Sequence, residues 1–231
     1  MTNKIYKNGA IILTSGGLDS YVLGHYIKKK LRINNIKLLF FNYEQKALKQ
    51  ELFCVKKLAK QLGAKLDIIN LNWLGSISTS LINKNKKTGK EEIIKWYVPC
   101  RNSIFILSAL AHAESLFLRK KEKNNIYIGV KYEGELCFKD TKPEFIKKIN
   151  ELAKNCVQKG NYKIIAPFIN KDKEDIINTA KKLKLDLRKT YSCYIGEKKG
   201  KLIHCGKCAG CIARKKGFRF SNVEDSTIYK K

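Results

Sequence analysis

Short apolar segments alternate with segments of helical periodicity along most of this chain, and no other feature of the sequence restricts the possible folds as much. The apolar segments are predicted to be strands at residues 10–14, 37–43, 66–71, 126–130 and 163–167. The other segments are predicted to be helices at residues 18–27, 47–62, 102–118, 143–159 and 173–183. Strands that are almost wholly apolar are typical of a parallel sheet buried on both faces. The sequence therefore predicts an α/β fold with helices on both faces of a parallel sheet.

Length and composition predict one domain with an appendage. With 231 residues, 44% of them hydrophobic, the chain can bury one sizeable core but not two. We expect an α/β domain at residues 9–189 and a C-terminal segment at residues 190–231, where cysteines and glycines precede a basic, weakly structured tail. Residues 75–95 show little periodicity and are predicted to form a loop or lid. Apolar stretches far shorter than the roughly 20 residues of a membrane span, and no signal-peptide pattern, predict a cytoplasmic protein.

The chain is strongly basic, with 48 Lys and Arg residues against 20 Asp and Glu and a formal charge of +28. Such an excess is compatible with a nucleic-acid partner, whose phosphates it would neutralise. The lysines, however, are scattered along nearly every segment and arginines are few. We therefore favour a generally basic solvated surface, which also suits an anionic small substrate, over a dedicated nucleic-acid groove.

Residues 15–20, with the sequence SGGLDS, lie between the first predicted strand and the first predicted helix. Glycines at such a turn let the backbone approach a ligand, and the following helix N-terminus favours negative charge, so the segment suits a phosphate chain. The Gly-Lys-Ser/Thr ending of a Walker A loop is absent. The hexapeptide instead resembles the SGGxDS loop of PP-loop ATP pyrophosphatases. That resemblance implies that Asp19 helps to hold Mg²⁺ and that Ser15 and Ser20 bind phosphate oxygens.

Eight cysteines in a chain without a secretory pattern argue against a disulfide framework and for metal or catalytic use. Four of them, Cys193, Cys205, Cys208 and Cys211, are predicted to hold one Zn²⁺ ion, because two residues between ligands let successive thiolates face a tetrahedral ion. A redox Cys-x-x-Cys pair and an iron-sulfur cluster are the competing interpretations. His204 is an alternative ligand to Cys193, although its adjacency to Cys205 makes simultaneous ligation awkward.

A third motif, VPCRN at residues 98–102, opens the most apolar of the predicted helices. Arg101 and Asn102 could donate hydrogen bonds to a phosphate or a nucleobase from this helix N-terminus. Taken alone, the motif is equally compatible with an ordinary helix start, in which Cys100 is a small residue that fills a tight turn.

Together these motifs resemble the 7-cyano-7-deazaguanine synthases of queuosine biosynthesis, a family of PP-loop ATP pyrophosphatases, and the resemblance extends over residues 11–218. Besides the SGGLDS and VPCRN motifs, the matching residues are Phe41, Tyr43, Gln45, Gly129, Glu133, Phe138, Asp140, Pro143, Glu144, Phe145, Pro167, Lys173, residues 190–194, residues 205–211 and Arg214. Several separated motifs thus occur in the order of the family.

The resemblance implies a Rossmann-like fold of the adenine nucleotide alpha hydrolase type and an ATP-dependent ligase. The implied enzyme converts 7-carboxy-7-deazaguanine and ammonia to the nitrile (preQ0) through an adenylated acid and an amide, binds ATP, Mg²⁺ and Zn²⁺, and is a homodimer. Implied catalytic residues are Asp19, Arg101 and Lys173. Implied ATP-binding residues are Thr14, Ser15, Gly16, Gly17, Leu18, Asp19, Ser20, Tyr43, Asn102 and Gly129. Implied substrate-binding residues are Gln45, Arg101, Glu133, Phe138 and Asp140.

The chain departs from the family pattern at Glu44, where glycine is usual, at Lys46, where arginine is usual, at Cys100, and at Lys139, where proline is usual. None of these positions lies in the ATP loop or among the four cysteines. Three alternatives stay open from the sequence. These are a relative that stops at an amide or a conjugate, a tRNA-modifying PP-loop enzyme, and a non-enzymatic zinc module that binds nucleic acid.

Overall fold

The computed structural model describes residues 7–77, 97–132, 138–196 and 202–230. Five parallel strands form one sheet in the order β3-β2-β1-β4-β5. Their bounds are β1 Lys7–Thr14, β2 Ile36–Asn42, β3 Lys65–Asn70, β4 Glu122–Ile128 and β5 Ile164–Ile165. The all-parallel sheet confirms the fold class that the sequence predicts, an α/β sheet of the Rossmann-like type.

Helices connect successive strands and cover the sheet. Their bounds are α1 Leu18–Lys29, α2 Leu48–Leu62, α3 Asn72–Ile77, α4 Arg101–Lys120, α5 Pro143–Cys156, α6 Lys173–Lys182 and α7 Ala209–Ser221, with 3-10 turns at Lys139–Thr141 and Leu187–Lys189. Local sequence accounts for several helix ends. Gly63 ends α2 in the left-handed conformation with φ of 60°, and Pro143 stands in the first turn of α5. Asp172 and Asp175 form a capping box at the start of α6.

The strands of the sheet centre bury both of their faces. Ile11 and Ile12 are neighbours in β1 and both fully buried, but they belong to different halves of the core. Ile12 lies in the half with α1, α2, α6 and α7, whereas Ile11 lies in the half with α4 and α5. Adjacent strand residues point to opposite faces, so this division places helices on both sides of the sheet.

The strand order reverses direction at β1, since β2 and β3 lie on one side of it and β4 and β5 on the other. The register aligns Thr14 with Phe40 of β2 and Leu13 with Ile128 of β4. The segments that follow β1, β2 and β4 therefore leave the sheet along one edge. Ligands of open α/β sheets bind outside the carboxyl ends of the strands at such a reversal point.

The structure differs from the prediction at three elements. The tail after the cysteines is not weakly structured, because α7 packs against α6 and places Phe218 in the core. The predicted loop at residues 75–95 begins too early, since α3 extends to Ile77, and residues 78–96 lie outside the described part of the chain. In addition, β4 starts at Glu122 rather than at residue 126, where the polar run of residues 122–125 hid its beginning. Within the described ranges, none of the helices combines the length and apolar character that crossing a membrane needs.

Candidate active site and metal centre

The SGGLDS loop follows β1 at the reversal point and leads directly into α1. Gly16 has φ of +71°, a conformation that residues with a β-carbon rarely adopt. A β-carbon at Gly16 would also lie 2.5 Å from the backbone oxygen of Glu51 in α2. Gly17 is the N-cap of α1 and has no side chain to shield the helix N-terminus. The loop can therefore present backbone N–H groups to an anion at close range.

The serine hydroxyls hold this loop in shape. Ser20 Oγ accepts a hydrogen bond from the Ser15 N–H (3.3 Å) and donates one to the Gly17 carbonyl (3.1 Å). The Gly17 N–H donates to Ser15 Oγ (3.3 Å), and Thr14 Oγ1 lies 3.5 Å from Ser20 Oγ. Leu18 buries its side chain in the core, so only its backbone faces the loop. The structure thus brings together all the loop residues that the sequence assigned to ATP.

Asp19 and Lys173 form a two-point ion pair at the start of α1. Lys173 Nζ donates to Asp19 Oδ1 at 2.8 Å and to Oδ2 at 2.6 Å, and both side chains are partly buried. Lys173 is the first residue of α6, and its stem lies against Gly217 of α7, where a built β-carbon would come within 2.2 Å of Lys173 Cγ. The absence of a side chain at Gly217 therefore allows Lys173 to reach Asp19.

Gly129 follows the end of β4 and lies behind the loop. A β-carbon there would approach the Ser20 backbone nitrogen to 3.3 Å and the Asp19 carbonyl carbon to 3.4 Å. These distances are at or below the ordinary van der Waals limit. A residue larger than glycine would therefore displace the first turn of α1. The position of Gly129 explains why a small residue is needed beside the loop.

Gln45 organises the segment that follows β2. Its Nε2 donates to the Phe41 carbonyl (3.1 Å) and to Glu51 Oε2 (2.8 Å), while its Oε1 accepts from the Tyr43 N–H (3.1 Å). Both N–H groups of the buried amide are therefore engaged within the protein. In this arrangement Gln45 positions Glu51, a role that the sequence did not indicate.

Glu51 is the site residue that the sequence analysis missed. It lies in the first turn of α2, partly buried, with its backbone against Gly16. Burial raises the pKa of the Glu51 carboxyl to about 7, although the Gln45 hydrogen bond and the positive charge of Arg101 oppose this shift. A signal was available, because Glu51 shares the buried face of α2 with Ala47 and Val55 at spacings of four residues. A carboxyl on the apolar face of an amphipathic helix indicates function or a buried partner.

Arg101 opens α4 opposite this segment. Its pKa is raised above the usual value despite burial, because it interacts with Tyr43, Tyr194 and Asp140 and bonds to the Tyr43 side chain. The neighbouring Asn102 is buried and donates from Nδ2 to the Asp140 carbonyl at 3.3 Å. Arg101 thus lies together with Tyr43, Asn102 and Asp140, and the family resemblance implies a role in ATP or substrate binding for all four.

Phe138 comes just before the 3-10 turn that contains Asp140, and its ring lies 5.5 Å from the Tyr97 ring at an angle of 31°. Tyr97 is 38% exposed, so the pair presents an aromatic surface to solvent near the start of α4. Glu133, the remaining predicted substrate residue, lies outside the described part of the chain.

Four cysteine sulfurs converge in the C-terminal segment. The Sγ atoms of Cys193, Cys205, Cys208 and Cys211 all lie within 4.8 Å of one another. A tetrahedral ion with bonds of about 2.3 Å requires sulfurs about 3.8 Å apart. The distances of 3.5, 3.8 and 3.9 Å among three of the sulfur pairs fit this requirement. The four cysteines therefore form a cluster that can hold one metal ion.

Backbone hydrogen bonds converge on the sulfurs of the cluster. Backbone N–H groups of Tyr194, Cys205 and Cys208 point at cysteine sulfurs from 3.3 to 3.4 Å. Hydrogen bonds from the Cys208 and Cys211 thiols lower the pKa of the Cys193 thiol, and the same interactions raise the pKa values of the Cys208 and Cys211 thiols, so Cys193 is the first of the three to ionise. His204 accepts a hydrogen bond from the Ser192 N–H at its Nε2 (3.0 Å), and Cys193 occupies the fourth position of the cluster. The sulfur of Cys193 therefore lies in the cluster, whereas the Nε2 atom of His204 is engaged by the Ser192 backbone.

The cysteine segment is joined directly to the SGGLDS loop. The Tyr191 N–H donates to the Gly16 carbonyl at 2.9 Å, two residues before Cys193. Arg214 of α7, 1% exposed, donates to Thr190 Oγ1 (2.7 Å), Ser192 Oγ (3.1 Å) and the Leu187 carbonyl (2.9 Å). The buried guanidinium therefore holds residues 187–192 in place, and this segment supports the SGGLDS loop.

Comparison with known proteins agrees with this geometry. The profile of the family described as "Queuosine biosynthesis protein QueC" matches residues 9–222. The 7-cyano-7-deazaguanine synthase of Methanosphaera stadtmanae is 34% identical, over 97% of this chain and 100% of the relative. That of Nitratiruptor sp. is 36% identical, over 96% of this chain and 98% of the relative.

Among solved structures, NMN synthetase from Francisella tularensis aligns with a TM-score of 0.47 and 13% identity, over 94% of this chain and 79% of that one. That likeness is too distant to support an argument about activity. The match of the family profile to nearly the whole chain, together with relatives above 30% identity at almost full coverage, shows that this chain belongs to the QueC family of queuosine biosynthesis proteins.

Proposed function

We propose that this chain is an ATP-dependent ligase that converts 7-carboxy-7-deazaguanine and ammonia to 7-cyano-7-deazaguanine through an adenylated acid and an amide. The observation that carries the proposal is the SGGLDS loop at the reversal point of the sheet, with Gly16 in a glycine conformation and Lys173 paired with Asp19. A carboxylate oxygen is a poor leaving group until it carries AMP. The first task of such a site is therefore to hold ATP with its α-phosphate open to attack.

The loop is assigned to the phosphates of ATP. The backbone of residues 15–18 and the hydroxyls of Thr14, Ser15 and Ser20 would bind the pyrophosphate end at the N-terminus of α1. Asp19 would contribute a carboxylate to Mg²⁺, the ion that accompanies ATP and neutralises part of its charge. Lys173, held beside Asp19, and Arg101 would stabilise charge that develops on phosphate oxygens.

The acceptor acid is assigned to the neighbouring group around Arg101. The positive charge of Arg101 suits the substrate carboxylate that is to be adenylated. The carboxyl of Asp140 can accept hydrogen bonds from the N–H groups of a guanine-like ring. Phe138, beside Tyr97, offers a face on which such a ring can stack. Glu133 is a further expected contact, whereas Gln45 acts through its hydrogen bond to Glu51. Tyr43, Asn102 and Gly129 would line the nucleotide side of the same edge.

The four cysteines are assigned to one Zn²⁺ ion with a structural role. Four thiolates around one ion leave no open position for a substrate, and a closed zinc site of this kind stabilises the fold. Residues 190–231 then form the zinc-binding segment and residues 9–189 the ATP-binding domain. A homodimer is the assembly that the family resemblance implies for this chain.

Product analysis tests the proposal. Supplied with 7-carboxy-7-deazaguanine, ammonium, Mg²⁺ and ATP, the enzyme is expected to release AMP and pyrophosphate and to form the amide before the nitrile. ADP and phosphate would indicate a different ATP chemistry. Amide without nitrile would indicate a relative that stops halfway, and AMP formed only when tRNA is added would contradict the substrate assignment.

A further inference from the structure

Amide formation and dehydration both release protons from one nitrogen atom. When ammonia attacks the adenylated acid, a C–N bond forms, the C–O bond to AMP breaks, and the nitrogen loses one proton. When the amide oxygen is adenylated in turn and leaves as AMP, the nitrogen loses two more protons as the nitrile forms. A site for this chemistry needs a base beside the reacting carbon.

We propose that the Glu51 carboxylate is the proton acceptor for this nitrogen in both stages, an inference that rests on the proposed function. Glu51 lies where the two halves of the site meet. Its backbone contacts Gly16 of the phosphate loop, and its carboxylate interacts with Arg101 of the acceptor group. The adenylated carbonyl must lie between the α-phosphate and the acceptor ring, so a base at this junction can reach the nitrogen that attacks there.

Gln45 gives this carboxylate a defined orientation. The Gln45 amide is fixed at Phe41 and Tyr43 on one side and donates to Glu51 Oε2 at 2.8 Å on the other. Because the Gln45 amide is itself fixed, its hydrogen bond can keep the Glu51 carboxylate in the geometry that proton transfer requires. This accounts for a buried glutamine whose contacts are all with the protein rather than with solvent.

Among the described residues, Asp19 and the histidines are engaged with other partners. Lys173 Nζ donates to both carboxylate oxygens of Asp19, so this carboxylate is already engaged. The three histidines of the chain pair elsewhere, His25 with Gln61, His112 with Asp67 and His204 with the Ser192 backbone. Histidine, the usual general base, is therefore not available to the nitrogen.

The protonation range of Glu51 supports the assignment. The groups that face its carboxyl are Gln45 and Tyr43 after β2, Arg101 of α4, and Cys54 on its own helix. Burial outweighs the opposing effects of Gln45 and Arg101 and brings the pKa of Glu51 to about 7. A base with such a pKa is ionised in a large fraction of molecules at neutral pH and still binds a proton readily.

The experiment separates adenylation from nitrogen attack. ATP–pyrophosphate exchange driven by 7-carboxy-7-deazaguanine without ammonia measures adenylation, and amide formation measures attack. Glu51→Gln is expected to keep exchange within about threefold of wild type and to lose amide formation by about 100-fold or more, the usual contribution of a general base. Glu151→Gln, an exposed change on α5, is the matched control and should leave both rates unchanged.

The pH profile provides a second measurement that does not depend on how well Glu51→Gln folds. At constant free ammonia, amide formation by the wild type should rise through pH 7, and Glu51→Asp should retain this rise at a lower rate. A flat wild-type profile would overturn the inference, as would equal loss of exchange and amide formation in Glu51→Gln. If the wild type shows no ATP–pyrophosphate exchange when 7-carboxy-7-deazaguanine is added, the proposed function itself fails. If exchange is normal and Glu51→Gln forms the amide at the wild-type rate, only the role of Glu51 fails.

Discussion

At the scale of single residues, two of the positions at which the chain departs from the family pattern have left-handed backbone. Glu44, at the position where glycine is usual, has φ of 61°, and Cys100, in the VPCRN motif, has φ of 53°. Both conformations lie in the left-handed region, where a β-carbon costs about 1–2 kcal/mol. The sequence marked both positions as departures, but only the backbone angles show what a glycine would contribute there.

Replacing Glu44 by Gly should stabilise the protein by about 0.5–1 kcal/mol, because relief of the left-handed strain exceeds the added freedom of the unfolded chain. The Glu44 N–H to Asn42 Oδ1 hydrogen bond is made by the backbone and is kept. Denaturant unfolding measures the change. Glu44→Ala retains the β-carbon and is the control; a gain of equal size in that variant would assign the effect to the carboxylate rather than to the backbone.

Glu51 is expected to lower stability at neutral and higher pH. Its folded-state pKa of about 7 lies above the ordinary value of 4.5, so between these values the folded protein binds the extra proton. Stability therefore falls as pH rises from about 4.5 through 7, and the loss is complete above that range. Allowing for its partial exposure, we expect Glu51→Gln to be more stable than wild type by about 1–2 kcal/mol at pH 8. Unfolding curves of wild type and Glu51→Gln at pH 5 and pH 8 check this prediction. A difference in unfolding free energy between the two proteins that is the same at both pH values would contradict it.

At the scale of elements, the alternating pattern was enough to predict the five strands and most helices, because buried parallel strands are apolar on both faces. Two features escaped it for physical reasons. The first half of β4 is polar, with Glu122 in an ion pair with Lys37 and Asn124 fully buried, so the strand carries no apolar signal there. The helix α7 follows a cysteine-rich segment and carries basic residues, and its place in the core depends on contacts with α6 that no local pattern encodes.

In the site too, residues with a local sequence pattern could be predicted, and residues that depend on tertiary contacts were harder to find. Motif residues such as those of the SGGLDS loop could be assigned from the sequence, because adjacent residues act together. For Glu51 the only sequence signal is its place on the buried face of α2, and for Gly217 there is none, since the importance of both arises from contacts with residues far along the chain, Gly16 and Lys173.

The contact of α7 with α6 predicts a long-range effect on the site. Gly217→Ala should displace the Lys173 stem, whose Cβ and Cγ lie within 2.9 Å of a built β-carbon, and so separate Lys173 from Asp19. We expect turnover to fall by about 10- to 100-fold while the fold is retained. Lys216→Ala, at the exposed neighbouring position, is the control. Turnover of Gly217→Ala equal to that of the control would show that Lys173 adapts without loss.

At the scale of the whole molecule, the cysteine cluster and the SGGLDS loop form one continuous structure. The cluster packs on Ala47 and Cys54 of the β2–α2 region, and Cys54 lies in turn against Gly16. Arg214 and Tyr191 complete the connection from α7 to the loop. A structural metal in this place would therefore support the SGGLDS loop as well as the C-terminal segment.

We expect purified protein to hold about one zinc per chain, and Cys208→Ser to lose the metal and melt at a markedly lower temperature, because three thiolates no longer close the site. ATP binding should weaken together with metal loss, since the Tyr191 to Gly16 hydrogen bond depends on the folded segment. Elemental analysis, thermal melts with and without chelator, and ATP binding below the melting temperature measure these effects. Cys156→Ser, an exposed change at the end of α5, should leave all three unchanged. Iron in place of zinc would contradict the metal assignment. A Cys208→Ser variant that melts like the wild type yet no longer turns over would show that the cluster takes part in the chemistry instead of supporting the fold.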